Sequence, residues 1–178
     1  MEQPFMTAIF TASSHHPFRV PKRYEGVFPK GTQPIHQCVG YTDHALQEFF
    51  AYAKQQDWYE NTLFVLTADH TNQVSLPEYA TAKGLYEVPI AFYSPRWNQG
   101  NLHNQGAVSQ TDIMPSVLAY LGYEKPFFAF GENALTQEKK HPYAVCYNHP
   151  VYQLLSDSLL LQFDGNNCRM LMENAVRS

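Results

Sequence analysis

An apolar run without polar alternation, residues 62–66, is the feature that most constrains the fold of this chain. Such a strand needs apolar cover on both faces, which is typical of the central strand of an α/β sheet. Asp69 and His70 follow almost at once, at the point where the strand would leave its sheet. Because α/β proteins place their ligands at this edge, the sequence predicts an α/β fold with its chemistry at the strand exit.

Length and charge narrow the class of protein. The 178 residues, 44% of them hydrophobic, suffice for one domain with a substantial core. The net charge of -4, with no basic stripe, argues against a nucleic-acid partner. The chain contains no apolar run of transmembrane length and no leader-like opening, so we expect this segment to be soluble.

The spacing of apolar residues predicts the remaining elements. A strand is expected over 5–11, a helix over 35–56 and a strand over 88–93, with Pro89 near the start of that strand. Asp112 is the expected N-cap of a helix over 113–121, which ends at Gly122. Short strands are predicted at 143–147, 152–155 and 159–163. This order indicates an α/β domain followed by a small antiparallel β appendage.

The three cysteines lack CxxC spacing, so a zinc knuckle or redox motif is not indicated. Cys38 lies on the apolar side of the predicted helix and is expected in the core. If the protein is exported, a bridge between Cys146 and Cys168 is an alternative to free thiols. Sequence alone does not supply the distance between the two residues that would decide between them.

Asp69 and His70 are the leading candidates for a metal site. A carboxylate oxygen beside an imidazole nitrogen suits Mn²⁺, Mg²⁺ or Zn²⁺. An Asp-His pair is also common in surface turns, so the two residues alone do not distinguish a metal site from a surface turn.

His15 and His16 follow the predicted strand over 5–11. If that strand and the one over 62–67 are parallel neighbours, both loops open on one edge, and either histidine could reach a ligand held by Asp69. A histidine there could donate to an anionic oxygen or protonate a leaving group. The alternative is a solvated loop pair. The other histidines, at positions 36, 44, 103, 141 and 149, are expected to be solvated side chains.

An ordered series of segments resembles the sulfatase-like branch of the alkaline phosphatase superfamily. The closest resemblance is to lipoteichoic-acid-synthase-like phosphoglycerol transferases and the putative sulfatases of Bacteroidetes. The matching segments cover 4–18, 41–45, 58–70, 88–95, 110–122 and 152–165. The resemblance implies the C-terminal half of a catalytic domain with an α/β/α sandwich, in which 1–125 belong to the α/β core and 126–178 form the β-rich tail.

The resemblance also implies roles for the candidate residues. Asp69 and His70 match the family's ligands to a catalytic divalent ion, Mn²⁺ or Mg²⁺, with Zn²⁺ or Ca²⁺ as alternatives. His15 matches the catalytic histidine that contacts the phosphoryl or sulfuryl group, and His16 occupies the next position as a second substrate-binding candidate. The family commonly has glycine soon after the Asp-His pair, whereas this chain continues with residues 71–73, so substrate contacts from that loop are not carried over.

The family's nucleophile and at least one further acidic ligand belong to an N-terminal half that does not match this chain. The metal site is therefore expected to be incomplete, and the chain alone to be inactive. None of the cysteines lies in the C-x-P-x-R context used for formylglycine. The implied substrate is a phosphate or sulfate ester, lipid- or glycan-linked, on the periplasmic or extracytoplasmic side of a membrane. The alternatives are a true sulfatase for carbohydrate sulfate esters and a non-catalytic binding module of the same fold.

Overall fold

The computed structural model describes residues 4–97, 106–136, 142–156 and 159–172. The chain forms two compact units, Met1–Trp97 and Asn98–Ser178. The predicted division into 1–125 and 126–178 stays a prediction. The first unit contains helix α1 (Ile35–Ala53) and strands β1 (Phe64–Thr67) and β2 (Ile90–Tyr93). The second contains helix α2 (Ile113–Tyr120) and strands β3 (Ala144–Asn148), β4 (Val151–Leu155), β5 (Leu159–Phe163) and β6 (Cys168–Met172).

Helix α1 confirms the predicted amphipathic helix and begins directly after Pro34. Its last residue is Ala53, three residues before the predicted end, because residues 54–56 continue only as a hydrogen-bonded turn. Cys38 and Ala53 are fully buried, which confirms the core position predicted for this cysteine. No helix in the described part of the chain combines the length and hydropathy needed to cross a bilayer.

Strands β1 and β2 pair in antiparallel register, with Phe64 opposite Tyr93 and Thr67 opposite Ile90. Pro89 lies just before β2, where its missing N–H is tolerated, as predicted. Aromatic rings fix α1 to this pair of strands, since Phe50 lies 5.1 Å from the ring of Phe64 and 5.9 Å from that of Tyr93. The apolar residues of β1 are only half-buried, so the predicted cover on both faces is not provided by the first unit.

The predicted strand over 5–11 is wrong for this structure, which has irregular backbone there. Met6 and Phe10 are 94% and 76% exposed. A strand is held by ladder hydrogen bonds to a neighbour, and within the described residues no neighbouring strand pairs with this segment. Its apolar composition therefore produces an exposed apolar surface in the first unit.

Strands β3 to β6 form a four-stranded antiparallel meander in chain order. The three predicted strands agree with β3, β4 and β5 to within one residue, while β6 is a short strand that the sequence reasoning missed. The register excludes a bridge between Cys146 and Cys168, because they lie on the two edge strands, about 14 Å apart at ordinary strand spacing. A disulfide needs Cα atoms within about 7 Å, and both thiols are free.

Helix α2 begins at Ile113 as predicted, and Gly122 follows it with a left-handed φ of 67°. Asp112 occupies the N-cap position, but its side chain does not cap α2. Its carboxylate instead accepts the N–H groups of Ser109 at 2.8 Å and Glu132 at 2.7 Å. Ser109 caps the preceding turn. The predicted N-cap thus ties two chain segments together.

Candidate metal and substrate site

Asp69 and His70 follow β1 after one residue and lie side by side. The backbone N–H of His70 donates to Oδ1 of Asp69 at 2.9 Å, which orients the carboxylate. Oδ2 of Asp69 lies 3.5 Å from Nε2 of His70, and the side chains are 55% and 66% exposed, respectively. The strand exit therefore presents a carboxylate oxygen and an imidazole nitrogen together at the surface.

The His70 ring is held in one orientation by its own loop. Its Nδ1 lies 2.7 Å from the carbonyl oxygen of Thr71, which can only accept a hydrogen bond. In the neutral ring Nδ1 therefore carries the proton, and the lone pair is on Nε2. This tautomer, with a backbone carbonyl as the partner of Nδ1, is the one found in histidines that bind a metal through Nε2.

The two donor atoms fit a divalent metal ion. Two ligands bound tetrahedrally at about 2.1 Å are separated by about 3.4 Å, close to the separation between Oδ2 and Nε2. Mixed carboxylate and imidazole donors suit Mn²⁺ or Zn²⁺. Among the residues that the structure describes, no third His, Cys, Asp or Glu joins this pair in a metal-binding group. Asp69 and His70 thus supply two ligands.

His15 lies in a turn in which its N–H donates to the carbonyl of Ala12 at 3.1 Å. Its Nδ1 lies 3.0 Å from the carbonyl oxygen of His16. As in His70, the next residue's carbonyl orients the ring, so the lone pair of the neutral form is on Nε2, which belongs to an exposed side chain.

His16 differs from His15 because its ring packs 4.5 Å from that of Phe18. Phe18 is buried and adopts a φ of 57°, which is uncommon for a bulky residue. The condition under which these histidines would reach Asp69, parallel pairing of 5–11 with 62–67, is not met, since 5–11 is not a strand. Within the described ranges, neither histidine joins the Asp69 and His70 pair as a metal ligand.

The segment after His70 is held at both ends by contacts that the sequence reasoning missed. The hydroxyl of Thr71 donates to the carbonyl of Leu85. The carbonyl of Val74 accepts a hydrogen bond from the side chain of Gln33, just before α1. The hydroxyl of Ser75 is hydrogen-bonded to His36, in the first turn of α1. No local motif signals these contacts, because the partners lie 41 and 39 residues apart.

The histidines expected to be solvated have different outcomes. His36 bonds to Ser75, and His44 packs against the rings of Tyr24 and Phe28 at 5.2 Å and 5.8 Å. His149 is exposed at the turn between β3 and β4. His103 and His141 lie outside the described residues.

The fold of the chain has a counterpart among solved structures. A crystal structure of a protein in the alkaline phosphatase superfamily from Vibrio parahaemolyticus matches 93% of this chain and 40% of that one, with a TM-score of 0.70 at 20% identity. This likeness shows that the chain has the α/β fold of that superfamily. The family model described as Sulfatase matches residues 1–123, and the chain belongs to the sulfatase family.

The chain is also similar, at modest identity, to lipoteichoic acid synthases. It is 24% identical over 159 residues to lipoteichoic acid synthase 1 of Bacillus subtilis strain 168, covering 78% of this chain and 24% of that protein. It is 25% identical over 154 residues to lipoteichoic acid synthase of Staphylococcus aureus strain USA300, covering 77% of this chain and 24% of that protein. The chain therefore spans about a quarter of the length of these relatives.

Proposed function

We propose that this chain supplies one side of the active site of a metal-dependent enzyme that transfers or hydrolyses phosphoryl or sulfuryl esters through a covalent enzyme intermediate. The observation that carries the proposal is the pair of donors at the exit of β1, 3.5 Å apart, in a chain of the sulfatase family. The similarity to lipoteichoic acid synthases favours a phosphoglycerol-type phosphoryl group over a sulfuryl group.

Asp69 and His70 would hold one divalent ion, Mn²⁺ or Mg²⁺ by preference, with Zn²⁺ or Ca²⁺ as alternatives. Such an ion, when bound, supplies positive charge that neutralises the transferred group and lowers the pKa of a nucleophile. The chain's own part is to present Oδ2 and Nε2 in a fixed relation. The N–H of His70 fixes the carboxylate, and the carbonyl of Thr71 fixes the imidazole.

His15 is the proposed catalytic histidine and a substrate-binding residue. With Nδ1 held by the carbonyl of His16, its Nε2 is the atom that takes up or gives a proton. In the protonated ring Nε2–H would donate to an anionic ester oxygen or to the leaving group. His16 is proposed as a second substrate contact, with its ring 4.5 Å from that of Phe18.

The nucleophile and at least one further acidic ligand are proposed to belong to another part of a longer protein, because this chain covers about a quarter of its relatives. We therefore propose that the chain alone is inactive and that its partner is the remaining half of the catalytic domain. The proposed setting is the extracytoplasmic side of a membrane, with a lipid- or glycan-linked ester as substrate. No nucleic-acid partner is proposed, in keeping with the net charge of -4.

A true sulfatase acting on carbohydrate sulfate esters is the second candidate, favoured by the description of the matching family model. A nucleophilic threonine upstream would support the phosphoryl-transfer enzyme, and a cysteine or serine in C-x-P-x-R-like context would support the sulfatase. A binding module that uses no metal is the non-catalytic alternative.

The test uses the full-length protein, loaded with Mn²⁺ and assayed on a glycerophosphodiester and on an aryl sulfate. The proposal expects turnover of one ester class, lost on chelation and lost in His70→Ala, with Mn²⁺ affinity reduced in parallel. Turnover that persists after chelation, or unchanged turnover in His70→Ala, would contradict it. Clear turnover by the 178-residue chain alone would contradict the proposed partition of the site.

A further inference from the structure

The residues that lead into α1 contact the segment that follows the proposed metal ligands. The side-chain amide nitrogen of Gln33 donates to the carbonyl of Val74 at 3.1 Å. Nε2 of His36 lies 3.3 Å from the hydroxyl oxygen of Ser75. The two contacts fall on adjacent residues, Val74 and Ser75, and together they hold this segment at two points. We call Gln33 and His36 the α1 clamp.

The proton positions of the clamp follow from its partners. The backbone N–H of Thr32 donates to Nδ1 of His36 at 3.1 Å, so Nδ1 must be an acceptor. The proton of the neutral ring is therefore on Nε2, which donates to Ser75. In this state Nε2 of His36 has no lone pair directed at Ser75. His36 therefore does not act as a general base for a Ser75 nucleophile. His36 is the opposite tautomer to His15 and His70.

Two further features show that the clamp has a specific geometry. Gly31 has a φ of 60°, and a Cβ placed there would overlap the ring of His36. The side-chain oxygen of Gln33 is buried without a hydrogen-bond partner in the described structure. Burying an unpaired acceptor is costly, and the hydrogen bond from the amide nitrogen of the same side chain to Val74 offsets part of that cost.

We infer that Gln33 and His36 are positioning residues for the Asp69 and His70 pair, an inference that rests on the function proposed above. The clamp holds 74–75, and the Thr71 hydroxyl holds the start of the same segment against Leu85. With both ends held, the carbonyl of Thr71 stays where it accepts from Nδ1 of His70. The tautomer that leaves Nε2 available to a metal is thus set partly by Gln33, just before α1, and by His36 in its first turn.

The test uses the 178-residue chain and the ¹⁵N shifts of its imidazole rings, which distinguish the two tautomers. The unaltered chain is expected to show His36 protonated at Nε2 and His70 protonated at Nδ1. Ser75→Ala removes the acceptor from an exposed residue, and Ser75→Thr keeps it as the matched control. His36→Phe keeps a ring of similar size and removes both nitrogens.

In Ser75→Ala and His36→Phe we expect His70 to shift toward a mixture of tautomers, while Ser75→Thr keeps the pattern of the unaltered chain. Mn²⁺ added alone should broaden the His70 signals of the first two variants at concentrations about three- to tenfold higher than in the unaltered chain, the effect of losing one ordinary hydrogen bond.

An unchanged His70 tautomer in both Ser75→Ala and His36→Phe would overturn the clamp. Failure of the function proposed above has a different signature. If Mn²⁺ does not broaden His70 in the unaltered chain, but the tautomer changes occur, the metal assignment fails and the clamp stands. If His36→Phe does not fold, Ser75→Ala decides the result.

Discussion

Asp69 in the first unit and Asp112 in the second are both aspartates that accept backbone N–H groups, but their surroundings differ. The side chain of Asp69 is 55% exposed and lies beside an exposed imidazole. Asp112 is 2% exposed, and each of its oxygens accepts an N–H from a separate chain segment. A buried carboxylate whose two oxygens both accept hydrogen bonds stabilises a fold, whereas an exposed carboxylate held in one orientation can bind a ligand.

Asp69→Ala should produce the largest effect and leave the fold intact. Removing this proposed metal ligand from the longer protein proposed above is expected to reduce turnover roughly 10³-fold, because a bound ion stabilises charge by several kcal/mol. Stability should change by less than about 0.5 kcal/mol, as for other exposed positions. Parallel assays and urea unfolding check both values, and a large loss of stability would break the comparison with Asp112.

Asp112→Ala should have the reverse profile. It leaves the partly buried N–H groups of Ser109 and Glu132 without their carboxylate, a cost of roughly 3 kcal/mol in the free energy of unfolding. Asp112→Asn keeps one acceptor and should lose about half as much. Urea unfolding of both variants measures the cost, and equal stability of Asp112→Ala and the unaltered chain would refute the structural role.

Ser116→Ala extends the comparison to serines. The buried hydroxyl of Ser116 donates to the carbonyl of Asp112 at 2.6 Å and accepts the N–H of Ala134 at 2.8 Å. Its loss should cost about 1–2 kcal/mol. Ser75→Ala, at an exposed position, should cost under about 0.5 kcal/mol. Thermal unfolding of the two variants gives the contrast, and a reversed order would count against burial as the deciding factor.

The smallest effect on stability is expected at Asp164. Its carboxylate accepts two N–H groups, like that of Asp112, but the residue is exposed, like Asp69. Its carboxylate accepts the N–H groups of Asn167 and Asn166 at 2.7 Å and 2.8 Å, which lowers the pKa of Asp164 below its ordinary value. A lowered pKa means that its contribution to stability is present above the ordinary pKa and is lost as the pH falls through the lowered value. Unfolding followed from pH 5 downward should show a smaller acid dependence in Asp164→Asn than in the unaltered chain.

Local patterns predicted the elements well where one short segment decides the outcome. The apolar periodicity of α1, the position of Pro89 before β2 and the start of α2 were all readable, because helix and strand periods are properties of neighbouring residues. The strand over 5–11 was not, since ladder pairing depends on a neighbour that the pattern does not reveal.

The candidate site divides in the same way. Asp69 and His70 were found because they are adjacent and follow an apolar strand. The α1 clamp was missed because its hydrogen bonds join residues about 40 positions apart. The possible bridge between Cys146 and Cys168 was decided only by register, which places the two residues on opposite edge strands.

The sequence by itself determined the helices, most of the strands, the strand-exit pair and the resemblance that the family match confirms. Only the tertiary structure decided the tautomers of His36 and His70, the burial of Asp112 and the separation of the cysteines. The physical reason is range. Backbone preference and hydrophobic period act over a few residues, whereas hydrogen-bond partners, burial and proton positions depend on segments that meet only after folding.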